Sequence, residues 1–269
     1  MVNWALQTHQ TIQTHQAMQN LFGLIGYPLA HSFSKAYFTE KFKAEGWKHC
    51  RYELFPLENI EALPSLLEAM PDLRGLNVTL PYKQTVMRYL DEIDGEAAAV
   101  GAVNTIVVKG GKRKGYNTDV FGFEQSLREW IGNNRPDALV LGTGGAARAV
   151  MYVLSKMGIS YLCVSRSAEK GDLTYQTVTQ ELLAGRPLVI NTTPLGMYPA
   201  TDTFPPLPYE AFGKDHFAFD LVYNPEQTLF LSKAAANGAS TRNGLQMLQL
   251  QAERAWEIWE DGRMVAWLS

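Results

Sequence analysis

Asp137-Ala-Leu-Val-Leu-Gly142-Thr-Gly144-Gly-Ala-Ala147-Arg-Ala-Val150 is the stretch that decides the fold. Residues 138–141 form a short, continuous apolar run, as a buried parallel strand does, and the run stops at Gly142. Gly142, Gly144 and Ala147 then fall on the G-x-G-x-x-A spacing, and residues 146–156 are good helix formers without a proline. The order is strand, glycine turn, helix. In a dinucleotide site each small residue has its own job. The first permits the tight turn, the second lets backbone amides approach a pyrophosphate, and the third lets helix and strand pack closely, with the phosphates at the helix N-terminus.

The next apolar, β-prone run, residues 161–165, ends about 20 residues after the glycines, where a site built for NAD carries Asp or Glu against the ribose hydroxyls. Here the sequence reads Ser165-Arg166-Ser167, with Lys170 close behind and no acid in place. A guanidinium with paired donors, flanked by hydroxyls, suits a ribose 2′-phosphate, so the expected cofactor is NADP. A solvated arginine after a strand is the plainer alternative.

With 269 residues, two domains of ordinary size are expected. Hydrophobic residues at 46% and charged residues at 19% describe a soluble globular chain able to bury two cores. A net charge of −3 gives no electrostatic footprint for nucleic acid or an anionic membrane, so local donors must meet any anionic ligand. Cys50 and Cys163 lack the spacing of a metal site or disulfide framework, and the N-terminus shows no basic region followed by an apolar run. A reducing cytoplasm fits, with no membrane partner. Residues 1–20 repeat Gln-Thr-His-Gln and read as an extension, and His9 and His15 have no third ligand at a metal-site spacing.

From residue 21 strands alternate with helices, the pattern of doubly wound α/β sheets. After the strand ending at Gly26, Ser32-Phe33-Ser34 precedes a helix expected over residues 35–45, for which Ser34 is a natural N-cap. Two hydroxyls at a strand-to-helix loop also suit a carboxylate. A third strand, residues 74–79, leads into Asn77-Val-Thr79-Leu-Pro81-Tyr-Lys83, where Pro81 is placed to open a helix carrying residues 83–90. Asn77 and Thr79 thus stand at a carboxyl sheet edge, where open α/β sheets bind ligands; the plainer alternative is a capped helix with Lys83 on its surface. Asn104-Thr105 follows an alanine-rich segment, a basic hairpin spans residues 109–114, and Asn117-Thr118-Asp119 opens a helix. Asp119 is there either a first-turn anion or a functional acid. Further strands are expected at residues 188–191 and 216–221, with a helix over residues 226–237. The last helix places Gln251 on the stripe of Leu248, Ala252, Ala255, Trp256 and Trp259. A buried amide there needs partners, a ligand or backbone.

Six blocks taken in order resemble the shikimate dehydrogenase family over residues 22–259. They are Gly26-Tyr-Pro-Leu-Ala-His31-Ser-Phe-Ser34, Asn77-Val-Thr-Leu-Pro-Tyr-Lys83, Gly101-Ala-Val-Asn104-Thr, Asn117-Thr-Asp119, Gly142-Thr-Gly-Gly-Ala146 and Gly244-Leu-Gln-Met-Leu-Gln-Leu-Gln251. The Asn-Val-Thr-x-Pro-x-Lys and Asn-Thr-Asp blocks are the specific ones; the glycine turn alone is shared by many folds.

The resemblance implies reversible, NADPH-dependent reduction of the C3 ketone of 3-dehydroshikimate to shikimate, in chorismate and aromatic amino-acid biosynthesis. It implies a catalytic pair, Lys83 and Asp119. Ser32 and Ser34 would hold the substrate carboxylate, and Asn77, Thr79, Asn104, Asp119 and Gln251 its ring hydroxyls, with Tyr223 nearby. The cofactor set would be Gly142, Thr143, Gly144, Gly145, Ala146, Ser165, Arg166, Ser167, Lys170, Thr192, Leu221 and Gly244, with no metal. It also implies an open mixed or parallel α/β substrate domain over residues 21–118 with 243–269, and a Rossmann domain over residues 119–242. Monomer and homodimer both fit. The chain departs from the family pattern at Lys35, where a proline is usual, at Phe38, where a histidine is common, and at Ser165-Arg166-Ser167, where Asn-Arg-Thr is common. The alternatives are an NAD-using quinate/shikimate dehydrogenase, a dinucleotide-binding regulator without turnover, and, more distantly, a methylenetetrahydrofolate dehydrogenase, which has no need for the paired serines.

Overall fold

A computed structural model describes residues 20–29 and 32–264, so the expected N-terminal extension, apart from Asn20, and His31 lie outside the described residues. Among the described residues the strands form two six-stranded sheets. The first contains β1 (Asn20–Gly26), β2 (Cys50–Pro56), β3 (Leu73–Val78), β4 (Glu92–Ile93), β5 (Thr105–Lys109) and β6 (Lys112–Tyr116), in the order β2-β1-β3-β5-β6-β4. It is mixed: β1 runs parallel to β2 and β3, while β5 is antiparallel to β3 and β6. The helices α1 (Phe33–Ala44), α2 (Leu63–Ala69) and α3 (Gly95–Val100) belong to this half.

The second sheet is wholly parallel, built from β7 (Ala138–Leu141), β8 (Tyr161–Ser165), β9 (Leu173–Thr174), β10 (Leu188–Asn191), β11 (Phe217–Asp220) and β12 (Ser240–Arg242). Its order, β12-β11-β10-β7-β8-β9, is that of a Rossmann fold, with the reversal between β7 and β10. Both faces are covered, which is why β7 and β10 read as unbroken apolar runs. Ala138, Val140, Leu188 and Ile190 face α4 (Thr118–Ile131) and α5 (Gly145–Lys156). Leu139, Leu141 and Val189 face α6 (Gln180–Ala184) and α7 (Leu229–Ala236).

The link between the halves is a pair of crossing helices. From the first sheet α4 leads into the second, and α8 (Leu245–Met264) returns, packing Ala252, Ala255, Trp256 and Trp259 with Phe22, Phe38 and Phe42 over the first sheet. Glycines permit both close approaches. A β-carbon on Gly122 would stand 2.5 Å from the Met247 carbonyl, and one on Gly75 would stand 2.3 Å from Trp259 Nε1, which donates to the Ile106 carbonyl at 3.0 Å. Among the described residues no helix is long and apolar enough to cross a membrane, and Cys50 and Cys163 are unbridged.

Three local expectations are corrected. The first helix begins at Phe33, two residues before the expected start, with Ser32 in the N-cap position and Ser34 in the first turn. Lys83 is not on an α-helix: a 3-10 turn over Thr85–Tyr89 takes its place. The backbone groups there are engaged elsewhere, Tyr27 N–H donating to the Leu80 carbonyl at 3.0 Å and Val103 N–H to the Lys83 carbonyl at 2.7 Å. The helix expected over residues 226–237 starts at Leu229, because Thr228 caps it by accepting from Leu231 N–H at 3.3 Å.

In an ordinary helix interior Gly→Ala stabilises by up to about 1 kcal/mol. For Gly122→Ala the clash with the Met247 carbonyl reverses the sign, and a loss of about 1–3 kcal/mol is expected, read as a lowered Tm. A Tm at or above that of the parent would contradict the helix crossing.

Candidate active site

The carboxyl ends of the two sheets face a cleft of about 450 Å³. Ser32, Ser34, Asn77, Thr79, Lys83, Asn104, Asp119, Tyr223 and Gln251, drawn from residues 32–251 of the sequence, all line it. Met197, Tyr198 and Asn224 from the second half complete one wall, and Tyr27 and Leu80 from the first half stand at another.

At one end lies an ion pair. Lys83 Nζ is 2.6 Å from Asp119 Oδ2, with side chains 16% and 7% exposed, so water screens the pair far less than a surface pair. The other carboxylate oxygen, Oδ1, accepts from Asn104 Nδ2 at 3.0 Å. Asp119 reaches this place because Asn117 caps α4, its Oδ1 accepting from Val120 N–H at 3.3 Å while its Nδ2 donates to the Ala102 carbonyl at 2.8 Å. The reading of Asp119 as merely a first-turn anion therefore gives way to that of a paired one.

Asn104 is the hub of the floor. Its Oδ1 accepts from Thr118 N–H at 2.7 Å and from the Thr105 hydroxyl at 3.1 Å. This leaves its amide nitrogen facing Asp119 and, at 3.4 Å, Gln251 Oε1. Gln251 is half-buried rather than fully buried, and its Nε2 donates to the Leu248 carbonyl at 2.9 Å. Asn77 lies opposite Thr105 in the β3–β5 pairing, and its Nδ2 reaches the Thr105 hydroxyl at 3.3 Å.

Sequence reasoning missed Tyr52. Its hydroxyl donates to Asn77 Oδ1 at 2.8 Å and has the Ser34 hydroxyl beside it. Burial pushes this phenol far above its ordinary range, which keeps it protonated and a donor. The available signal was a tyrosine at an inward position of β2, whose hydroxyl needs a partner. Burial also pushes up the Tyr223 phenol, against the Phe33 backbone hydrogen bond that lowers it. At the far end Ser32 makes no capping bond, so its hydroxyl is not spent on the helix.

The glycine turn adjoins this cleft. Gly142 has φ of +110°, and a β-carbon on it would meet Thr192 Oγ1 at 2.7 Å, whereas a β-carbon on Gly144 would meet nothing. Residue 142 thus needs the left-handed region, and the space above residue 144 is open to a ligand. No side chain caps α5, which leaves the amides around Gly145 and Ala146, next to Thr143, to point into that space. A β-carbon on Gly145 would stand 2.9 Å from Lys83 Cβ, so the turn and the ion pair touch.

After β8, Ser165 is buried and its Oγ accepts from Ser167 N–H at 3.2 Å, while Arg166 and Lys170 are exposed. The hydroxyls of this loop shape a turn that offers the cations outward. Thr192 donates to the Leu141 carbonyl at 2.6 Å, and Gly244 is buried where a β-carbon would stand 2.1 Å from the Leu221 carbonyl. Gly244 therefore acts on the crevice only by letting the chain lie close under Leu221. This donor set fits a dinucleotide with an extra phosphate. Among the described residues no three His, Cys, Asp or Glu side chains gather as a metal ion would require.

Residues 24–106 match the model of the shikimate dehydrogenase substrate binding domain. The shikimate dehydrogenase (NADP(+)) of Methanococcus maripaludis is 38% identical over 256 residues, 89% of this chain and 91% of that protein. A crystal structure of the Thermus thermophilus shikimate 5-dehydrogenase with NADP(H) and shikimate superposes with a TM-score of 0.78 at 35% identity, covering 89% of this chain and 92% of that one. The quinate dehydrogenase of Corynebacterium glutamicum with NAD gives a TM-score of 0.80 at 30% identity, over 90% and 93% of the two chains. With its cleft residues in these positions and such identity along nearly its whole length, the chain belongs to the shikimate dehydrogenase family.

Proposed function

We propose that the chain reversibly reduces 3-dehydroshikimate to shikimate with NADPH, as a step of chorismate and aromatic amino-acid biosynthesis. The observation that carries this reading is the Lys83–Asp119 pair at 2.6 Å, set in one cleft with two serine hydroxyls and against the glycine turn. In this reading residues 21–118 with 243–269 hold the substrate and residues 119–242 the cofactor, boundaries that fall at the start of α4 and just before α8. Unbridged Cys50 and Cys163 accord with a reducing cytoplasm.

In this reading Ser32 and Ser34 donate to the substrate carboxylate and fix the ring's far end. Asn77, Thr79, Asn104 and Gln251 meet the ring hydroxyls, with Tyr223 closing the opposite side. NADPH, when bound over the glycine turn, supplies the hydride to C3. As the carbonyl oxygen gains charge, the Lys83 ammonium stabilises it and passes it a proton, completing the alcohol. Asp119 holds Lys83 Nζ in place at 2.6 Å and bonds the neighbouring ring hydroxyl. In the oxidative direction the same groups take the proton back. Arg166 and Lys170 meet the 2′-phosphate.

The second reading, an NAD-using quinate/shikimate dehydrogenase, is favoured by the likeness to the Corynebacterium glutamicum enzyme. Against it stand exposed Arg166 and the absence of an acid at the end of β8. Following nicotinamide absorbance with shikimate or quinate, each with NADP⁺ or NAD⁺, separates the two. Turnover with shikimate and NADP⁺ at least about tenfold above the other pairs is expected, about 1.4 kcal/mol of discrimination. Preferred turnover of quinate with NAD⁺ would overturn the assignment.

The Gly145–Lys83 contact generates a second test. Gly145→Ala puts a β-carbon 2.9 Å from Lys83 Cβ, so the turn or the lysine stem must shift, and kcat is expected to fall about tenfold to a hundredfold. An unchanged kcat would contradict the contact's part in aiming Lys83.

A further inference from the structure

β10 and β11 lie on the other side of β7 from β8, so the loops leaving them border the half of the crevice away from the Ser165-Arg166-Ser167 turn. These loops carry Met197, Tyr198, Tyr223 and Asn224 into the cleft that contains Lys83 and Asp119. One buried carboxylate ties them together. Asp220, the last residue of β11, is 0% exposed and accepts three hydrogen bonds: from Asn191 Nδ2 at 2.9 Å, from Val222 N–H at 3.0 Å and from the Thr228 hydroxyl at 2.6 Å.

Each donor belongs to a different piece of chain: the end of β10, the loop that bears Tyr223, and the cap of α7. Asn191 extends the constraint, its Oδ1 accepting from Thr193 N–H at 3.0 Å and from the Thr193 hydroxyl at 2.6 Å. The loop tips are joined as well, Tyr198 N–H donating to the Asn224 carbonyl at 3.1 Å. Burial pushes the Asp220 carboxyl up to about 6, against the pull of its three donors. A carboxylate is the side chain that accepts at both oxygens and donates at neither, which is what three converging donors require.

We propose that Asp220 is a positioning residue for the nicotinamide half of NADP(H), acting through Asn191, Val222 and Thr228 on the two loops that border the hydride-transfer site. The adenosine half, met at Ser165-Arg166-Ser167, is independent of it. The inference rests on the cofactor reading above.

Asp220→Asn keeps the shape and turns one acceptor into a donor. In the full-length protein it should raise the KM of NADP⁺ about tenfold, the size of one buried group left unpaired. The inhibition constant of adenosine 2′,5′-bisphosphate, which has only the adenosine half, should stay within about twofold. Thr228→Val removes one donor and should shift the NADP⁺ KM the same way, with Thr228→Ser restoring it. This pair carries the test if Asp220→Asn fails to fold by thermal denaturation. Folded Asp220→Asn or Thr228→Val with an unchanged NADP⁺ KM would overturn the proposal, as would equal losses for NADP⁺ and the bisphosphate. A parent protein that bound neither NADP⁺ nor the bisphosphate would overturn the cofactor reading itself.

Discussion

Lys83 and Asp119 face each other at 2.6 Å in a cleft where both are mostly out of water, and desolvating such a pair costs several kcal/mol unless its remaining lone pairs and protons find partners. Much of the surrounding structure serves that condition. Asn104 occupies the second carboxylate oxygen, and its own carbonyl end is held by Thr118 and Thr105. Asn117 sets the helix turn that presents Asp119. Lys83 is fixed from the backbone, through the bond from Val103, and at its stem by Gly145.

These constraints cross the boundary between the two sheets. The substrate side supplies Lys83 and Asn104, α4 supplies Asp119, and the cofactor side supplies Gly145 and the loops tied by Asp220. Close packing of α4 on α8 at Gly122 keeps Gln251 against the same floor. A site assembled this way fixes Lys83, Asp119 and Asn104 through contacts of the chain itself, the arrangement in which oriented electrostatics acts most strongly.

Legibility in the sequence follows how local each interaction is. The glycine turn, the apolar strands β7 and β10 and the stripe of α8 depend on neighbours within a few residues, and they can be read directly. The start of α1 is harder to place because two serines compete for one cap, and only the backbone shows that Ser32 takes the position. Lys83 reads as helical because the amide donors that engage the carbonyls of this segment, Tyr27 N–H and Val103 N–H, are remote in sequence. Tyr52 and Asn77 are 25 residues apart and meet only through the order of the first sheet. Asp220 shows only a local turn bond to Val222 N–H, while Thr228 and Asn191 are brought to it by the end of α7 and the neighbouring strand.

Whether Lys83 and Asp119 work as one unit is tested most directly by steady-state kcat for Lys83→Ala, Asp119→Asn and the double variant, with shikimate and NADP⁺ and with folding checked by thermal denaturation. Each single substitution should lower kcat by about a hundredfold or more, and the double variant should be no slower than the slower single one within about threefold. Losses that multiply in the double variant, or a Lys83→Ala protein with unchanged kcat, would contradict that coupling.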